Sequence, residues 1–226
     1  MVRKIVAVEI GSPPGPASCL ELPARTHEPQ FEPMSWADPE YRLKRFEECG
    51  RYTLYYGGIL PASLPSEDSR VLQFILRYLA GGDGPLFRWL RDEKAVVYDI
   101  SWRYDRHLEG VRWEMRFPMA SEEEALAVRQ ELPERIRAAL ADASMLRTEV
   151  GLHRDAAETY WYQTLGDILA DATFDLALYG EIVSEAAALA AIGRCADPDY
   201  VAEAWARAAS VEKVGWFCAA PLEQTD

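Results

Sequence analysis

The residues of this 226-residue chain whose types and spacing could do chemistry are few. Its three histidines are His27, His107 and His153. No two of them share a helix face, and His153 and Glu158, five residues apart, do not share one either. No H-x-x-E-H, H-E-x-x-H or G-x-S-x-G motif occurs, and no cysteine stands beside a histidine. Asp167, Asp171 and Asp175 repeat at i, i+4 and could hold Mg²⁺ if they faced a cavity. With no second acidic motif to pair with them, a solvated helix face is expected. Cys19, Cys49, Cys195 and Cys218 form no C-x-x-C knuckle and are expected as buried thiols in a reducing compartment. Gly81-Gly82-Asp83-Gly84 lacks the Lys-Ser/Thr of a phosphate loop and follows a helix pattern, so it reads as a helix–helix turn. The remaining pair is Arg91 and Tyr98, seven residues apart, where a helical pattern gives way to a strand pattern. Spacing alone explains both structurally: an arginine on the negative end of a helix dipole and a tyrosine in a core face.

Composition narrows the function classes. Lys+Arg 24 against Asp+Glu 37 gives a net charge of −13, which disfavours binding to nucleic acid or to an anionic membrane. It would favour a basic peptide or partner surface. Hydrophobic residues at 49% suit a globular chain with a substantial core. The longest apolar run, Ala186–Ile192, is too short to span a bilayer, and Glu9 interrupts the only N-terminal one. A soluble, cytoplasmic protein is expected.

The elements that must position these residues follow from periodicity. Residues 1–45 are expected to form a strand at Ile5–Ile10 and a proline-rich arm, with the main domain covering 46–226. A strand is read at Arg51–Gly57, a helix over Glu67–Leu79, and a shorter helix over Pro85–Glu93 opened by its proline. Alternation predicts two antiparallel strands, Val96–Tyr104 and Val111–Met119, around a turn at His107–Gly110. Ser121 and Glu124 form a capping box for a helix to Asp142, with Pro133 inside it. Further helices are read over Arg147–Leu176 and Gly180–Ile192, then from Asp197 to Ala208, before a closing strand at Val214–Cys218. The order is that of an α+β fold, an antiparallel-rich sheet covered on one face by helices.

One run carries a resemblance. Asp68, the apolar helix Val71–Leu79, Gly81-Gly82, and then Leu86-Phe87-x-x-Leu90-Arg91-Asp92-x-Lys94-x-x-x-Tyr98 resemble the second-half module of the pitrilysin/insulin-degrading-enzyme superfamily of zinc peptidases, which includes the mitochondrial processing peptidase. Tyr179-Gly180, the stretch Ile192–Trp205 with Asp197, and Pro221 occur in the matching order, so the resemblance spans roughly 48–221. Asp92 stands where a glutamate is usual, Pro85 where a small polar residue is usual, and the proline-rich arm has no counterpart.

The resemblance implies one half-module of a clamshell. In that superfamily the first half holds zinc through H-x-x-E-H, and the second, metal-free half contributes an arginine and a tyrosine that contact the substrate backbone. Carried over by position, those roles fall to Arg91 and Tyr98. Arginine offers a rigid fork and tyrosine a hydroxyl donor, and neither activates water at neutral pH. The expectation is a metal-free, non-catalytic subunit of a split peptidase. It needs no cofactor of its own; Zn and H-x-x-E-H would come from a heterodimeric partner, and the substrate would be a peptide or precursor. An inert peptide-binding or scaffold protein of the same fold is the alternative. A Mg²⁺ enzyme built on the aspartate row is the third reading.

Overall fold

A computed structural model describes residues 41–47, 49–61, 65–97, 99–107, 110–160, 170, 172–176, 182–210 and 214–222. The strand expected at Ile5–Ile10, the proline-rich arm, Cys19, His27, Tyr98, Asp167, Asp171 and Tyr179-Gly180 lie outside the described residues.

Five strands form one mixed sheet: β1 (Tyr41–Phe46), β2 (Tyr52–Pro61), β3 (Ser101–His107), β4 (Gly110–Met119) and β5 (Val214–Pro221), in the spatial order β1-β5-β2-β4-β3. β1 lies parallel to β5, while β5–β2, β2–β4 and β4–β3 are antiparallel. The first strand starts at Tyr41, ahead of the domain start expected at Phe46. The helices are α1 (Ser66–Ala80), α2 (Pro85–Arg88), α3 (Glu122–Leu140), α4 (Ala143–Tyr160), α5 (Glu185–Arg194) and α6 (Pro198–Ala208), and residues 172–176 are also helical.

Side-chain alternation divides the sheet into two faces. Leu54, Tyr56 and Leu60 of β2 and Val111, Trp113, Met115, Phe117 and Met119 of β4 are buried in the core with Val71, Phe74 and Ile75 of α1 and Val128, Leu132 and Ile136 of α3. The opposite face carries Arg103 of β3 and Arg112 and Arg116 of β4, around a buried Glu114. Glu114 accepts from Arg112 at 3.1 Å and from Arg116 Nε at 2.7 Å. A net charge of −13 therefore does not describe this face, where arginines cluster. Composition counts charges; only the register of β3 on β4 gathers these three.

The helix ends follow their sequence signals. Ser121 Oγ accepts from Glu124 N–H at 3.2 Å, and Glu124 Oε2 accepts from Ala120 N–H at 2.8 Å, closing the cap of α3. Asp197 caps α6 through Asp199 N–H at 3.0 Å, with Pro198 in its first turn. Between α1 and α2, Gly81 N–H bonds to Arg77 O and Gly84 N–H to Gly81 O, so the glycine run is a helix–helix turn. A Cβ at Gly84 would lie 2.6 Å from Tyr78 O, and that close approach excludes any larger residue.

Candidate functional site

Arg91 lies in the middle of a π-helical turn, Trp89–Glu93, that continues α2 directly. Such turns carry a wider i→i+5 bond, here Lys94 N–H to Trp89 O at 3.0 Å, and they concentrate at functional sites. The turn ends at Ala95, whose φ of 55° places a non-glycine residue in the left-handed region. Val96 N–H then reaches back six residues to Leu90 O at 3.0 Å. This bond is one residue longer than the six-to-one bond of a left-handed helix C-cap, as the π-helical turn before it requires. It also explains why β3 starts later than alternation placed it. Residues 96–97 and 99–100 lie outside any strand, Val97 and Ile100 are buried, and β3 begins only at Ser101. Strand alternation cannot register a left-handed turn at an alanine.

The turn is held firmly on its inner side. Leu86, Trp89 and Leu90 are buried. Lys94 Nζ donates to Glu131 of α3 at 2.6 Å, and Arg135 of α3 pairs with Glu93 at 3.6 Å while its guanidinium lies 5.2 Å from the Trp89 ring. Arg91 itself is exposed, with its guanidinium 5.2 Å from the Phe87 ring. Stacking on Phe87 keeps the planar fork oriented without burying it. Its expected companion, Tyr98, is outside the described residues.

The other residues singled out by type are structural where they are described. Asp175 is not on a solvated face, as expected of the aspartate row: it is 1% exposed. It accepts from Arg70 of α1 at 3.0 and 3.2 Å, from Arg106 of β3 at 3.2 Å and from Val183 N–H at 3.3 Å. Two guanidinia already occupy its oxygens, so its charge is spent on the fold and not on a divalent cation. No signal in a one-dimensional sequence marks Arg70 and Arg106 as its partners, because they lie 105 and 69 residues away.

His107, expected in the hairpin turn, is the exposed last residue of β3. Among the described residues, no group of three His, Cys, Asp or Glu side chains is placed to hold a metal. Cys195 and Cys218 are buried and unbridged, and burial raises the Cys195 thiol pKa to about 12. That places it far from a reactive thiolate. Cys49 is only half-buried.

His153 packs its ring 5.8 Å from Phe74, and burial, assisted by Arg77, lowers its pKa to about 4. The unfolded chain therefore takes up this proton first as pH falls. The contribution of the neutral imidazole is full above about pH 6.5 and is lost as pH falls towards 4. Thermal melts should show the midpoint falling from pH 6.5 to 5, where carboxylates hardly titrate, and His153→Phe should flatten that slope. A slope unchanged in the variant would refute the assignment.

No protein-family model matches the chain, and no curated protein matches it. Solved structures do match its fold. The crystal structure of a peptidase M16 inactive domain from Pseudomonas fluorescens matches with a TM-score of 0.61 at 13% identity, over 80% of this chain and 43% of that one. A putative M16-like peptidase from Alicyclobacillus acidocaldarius matches with a TM-score of 0.56 at 13% identity, over 80% and 43%. A protease from Helicobacter pylori gives 0.60 at 12% identity, over 80% and 44%. This chain thus spans less than half the length of each. At such identities the likeness is one of fold. Among the described residues, no helix is long and apolar enough to cross a membrane. The mixed five-stranded sheet, its helical layer and these likenesses together give this chain a fold seen in M16, pitrilysin-type peptidase structures, an inactive domain among them.

Proposed function

We propose that this chain is a metal-free subunit of a split, two-subunit pitrilysin-like zinc peptidase, closing the chamber and contacting the peptide backbone through Arg91 and Tyr98. Zinc does not fit the residues present: the chain has no H-x-x-E-H, and no three-ligand cluster exists among the described residues. The metal and the water-activating glutamate therefore belong to the partner. The observation that carries the reading is the setting of Arg91, an exposed guanidinium at the centre of a π-helical turn closed by a left-handed alanine. Uncommon backbone of this kind persists where it positions a working group. From there the fork can donate to a carbonyl oxygen of a bound peptide and hold the backbone in register.

The test is reconstitution with a zinc-bearing subunit of the same fold. The pair should hydrolyse peptide, and this chain alone should not. Arg91→Ala should lower kcat/KM by about 10²-fold with the assembly intact on size-exclusion chromatography, and Arg91→Lys should fall between. Unchanged kinetics in Arg91→Ala would refute the role in trans. A stable complex that binds peptide without cleaving it would favour the scaffold reading instead.

A further inference from the structure

On the helical side of the sheet, α3 and α6 leave a groove of about 410 Å³ between them. Its origin is readable in α6, which lines it with Ala202 and Ala206 and so leaves the space open. Trp205 and Trp216 form half-buried aromatic walls, Ile136 and Leu140 supply aliphatic surface, and Tyr56 stacks on Trp216 with ring centroids 4.3 Å apart.

Two polar groups break this apolar lining. Tyr56 is 7% exposed, and its hydroxyl has no hydrogen-bond partner among the described residues. Burial raises its pKa, so the hydroxyl keeps its proton and can donate. Arg137 lines the groove as well and, among the described residues, pairs with Glu134, both side chains being 70% exposed. An exposed pair of that kind is worth little, and Arg137 can exchange it for another anion. The volume lies within the about 300–1,000 Å³ common for small-molecule sites, which combine apolar walls with a few convergent polar groups.

We propose that this groove binds a small amphipathic carboxylate, an aryl or branched apolar body between the tryptophans with its carboxylate accepting from Tyr56 Oη and Arg137. The inference is independent of the peptidase reading and stands or falls without it.

The test titrates 4-phenylbutyrate into the full chain, with 4-phenylbutanol as the uncharged match. Tryptophan fluorescence gives the affinity, and amide NMR shifts give the location. Saturable binding should shift amides of α3 and α6, with the acid bound roughly ten-fold tighter than the alcohol. Tyr56→Phe, which removes one oxygen, and the surface change Arg137→Gln should each remove most of that preference. Ala206→Phe, which fills the groove, should abolish binding. The proposal is overturned if binding does not saturate. It is equally overturned if acid and alcohol bind alike in the parent chain, or if the shifts map elsewhere.

Discussion

Asp175→Ala should cost about 3–5 kcal/mol of folding stability, the loss typical of breaking a buried ion pair from one side. The carboxylate is the common acceptor for Arg70 of α1, Arg106 of β3 and the Val183 amide, and so joins a helix, an edge strand and the chain leading into α5. The side chains of both arginines are largely buried, at 10% and 18% exposed. Removing the carboxylate leaves two guanidinia in a poorly solvated place without their shared counter-charge. Asp175→Asn keeps the shape and one acceptor but not the charge, and should fall between the parent and the alanine variant. Urea unfolding followed by circular dichroism reads both. A loss below about 1 kcal/mol in Asp175→Ala would mean that the site behaves as a surface pair.

Gly57→Ala should cost about 2–3 kcal/mol by steric conflict. A Cβ at Gly57 would lie 2.4 Å from Trp113 O and 3.0 Å from Glu114 Cα, atoms of the adjacent backbone that cannot turn away as a flexible side chain can. β2 and β4 pair in register at this point, Gly57 against Glu114, in the middle of the sheet. Relief would require the two central strands to part, exposing the buried Trp113 beside them. Gly82→Ala serves as the control, since a Cβ there meets nothing within 4 Å. It should stay within about 0.5 kcal/mol of the parent. Equal effects of the two substitutions would rule out the clash.

The arginine cluster around Glu114 qualifies the charge argument for partners. A net charge of −13 points to basic partners, yet the sheet face away from the core presents Arg103, Arg112 and Arg116, paired among the described residues with only two carboxylates there, Asp105 and Glu114. Partner preference is therefore a property of each face and not of the whole chain.

Periodicity and local chemistry made much of the fold legible. α1, α3 and α6 lie close to where their apolar stripes and caps put them, because Ser121, Glu124, Asp197 and Pro198 act on backbone groups within a few residues. The hairpin of β3 and β4 follows from alternation, except at its start. There Ala95 adopts a conformation that its residue type does not advertise. At the candidate site, the place of Arg91 at the end of a helix was legible, while its π-helical setting and its stacking on Phe87 were not.

What the sequence determined by itself is local or arithmetical. It lacks H-x-x-E-H, its three histidines are too far apart in sequence to form that motif, and its caps and stripes delimit the helices. Tertiary structure alone decided that Asp175 is an internal ion-pair hub, that Arg103 of β3 lies in register with the Glu114 that Arg112 and Arg116 hold, that His153 packs on Phe74, and that α3 and α6 stand apart around Tyr56. The physical reason is range. Capping and amphipathic patterning act over a turn of chain and leave their mark in adjacent residues. Ion pairing, burial and groove formation depend on which distant segments the packed core brings together. Even the three histidines, scarce in the count, took their meaning from placement: His153 is removed from ligand chemistry by the core around it.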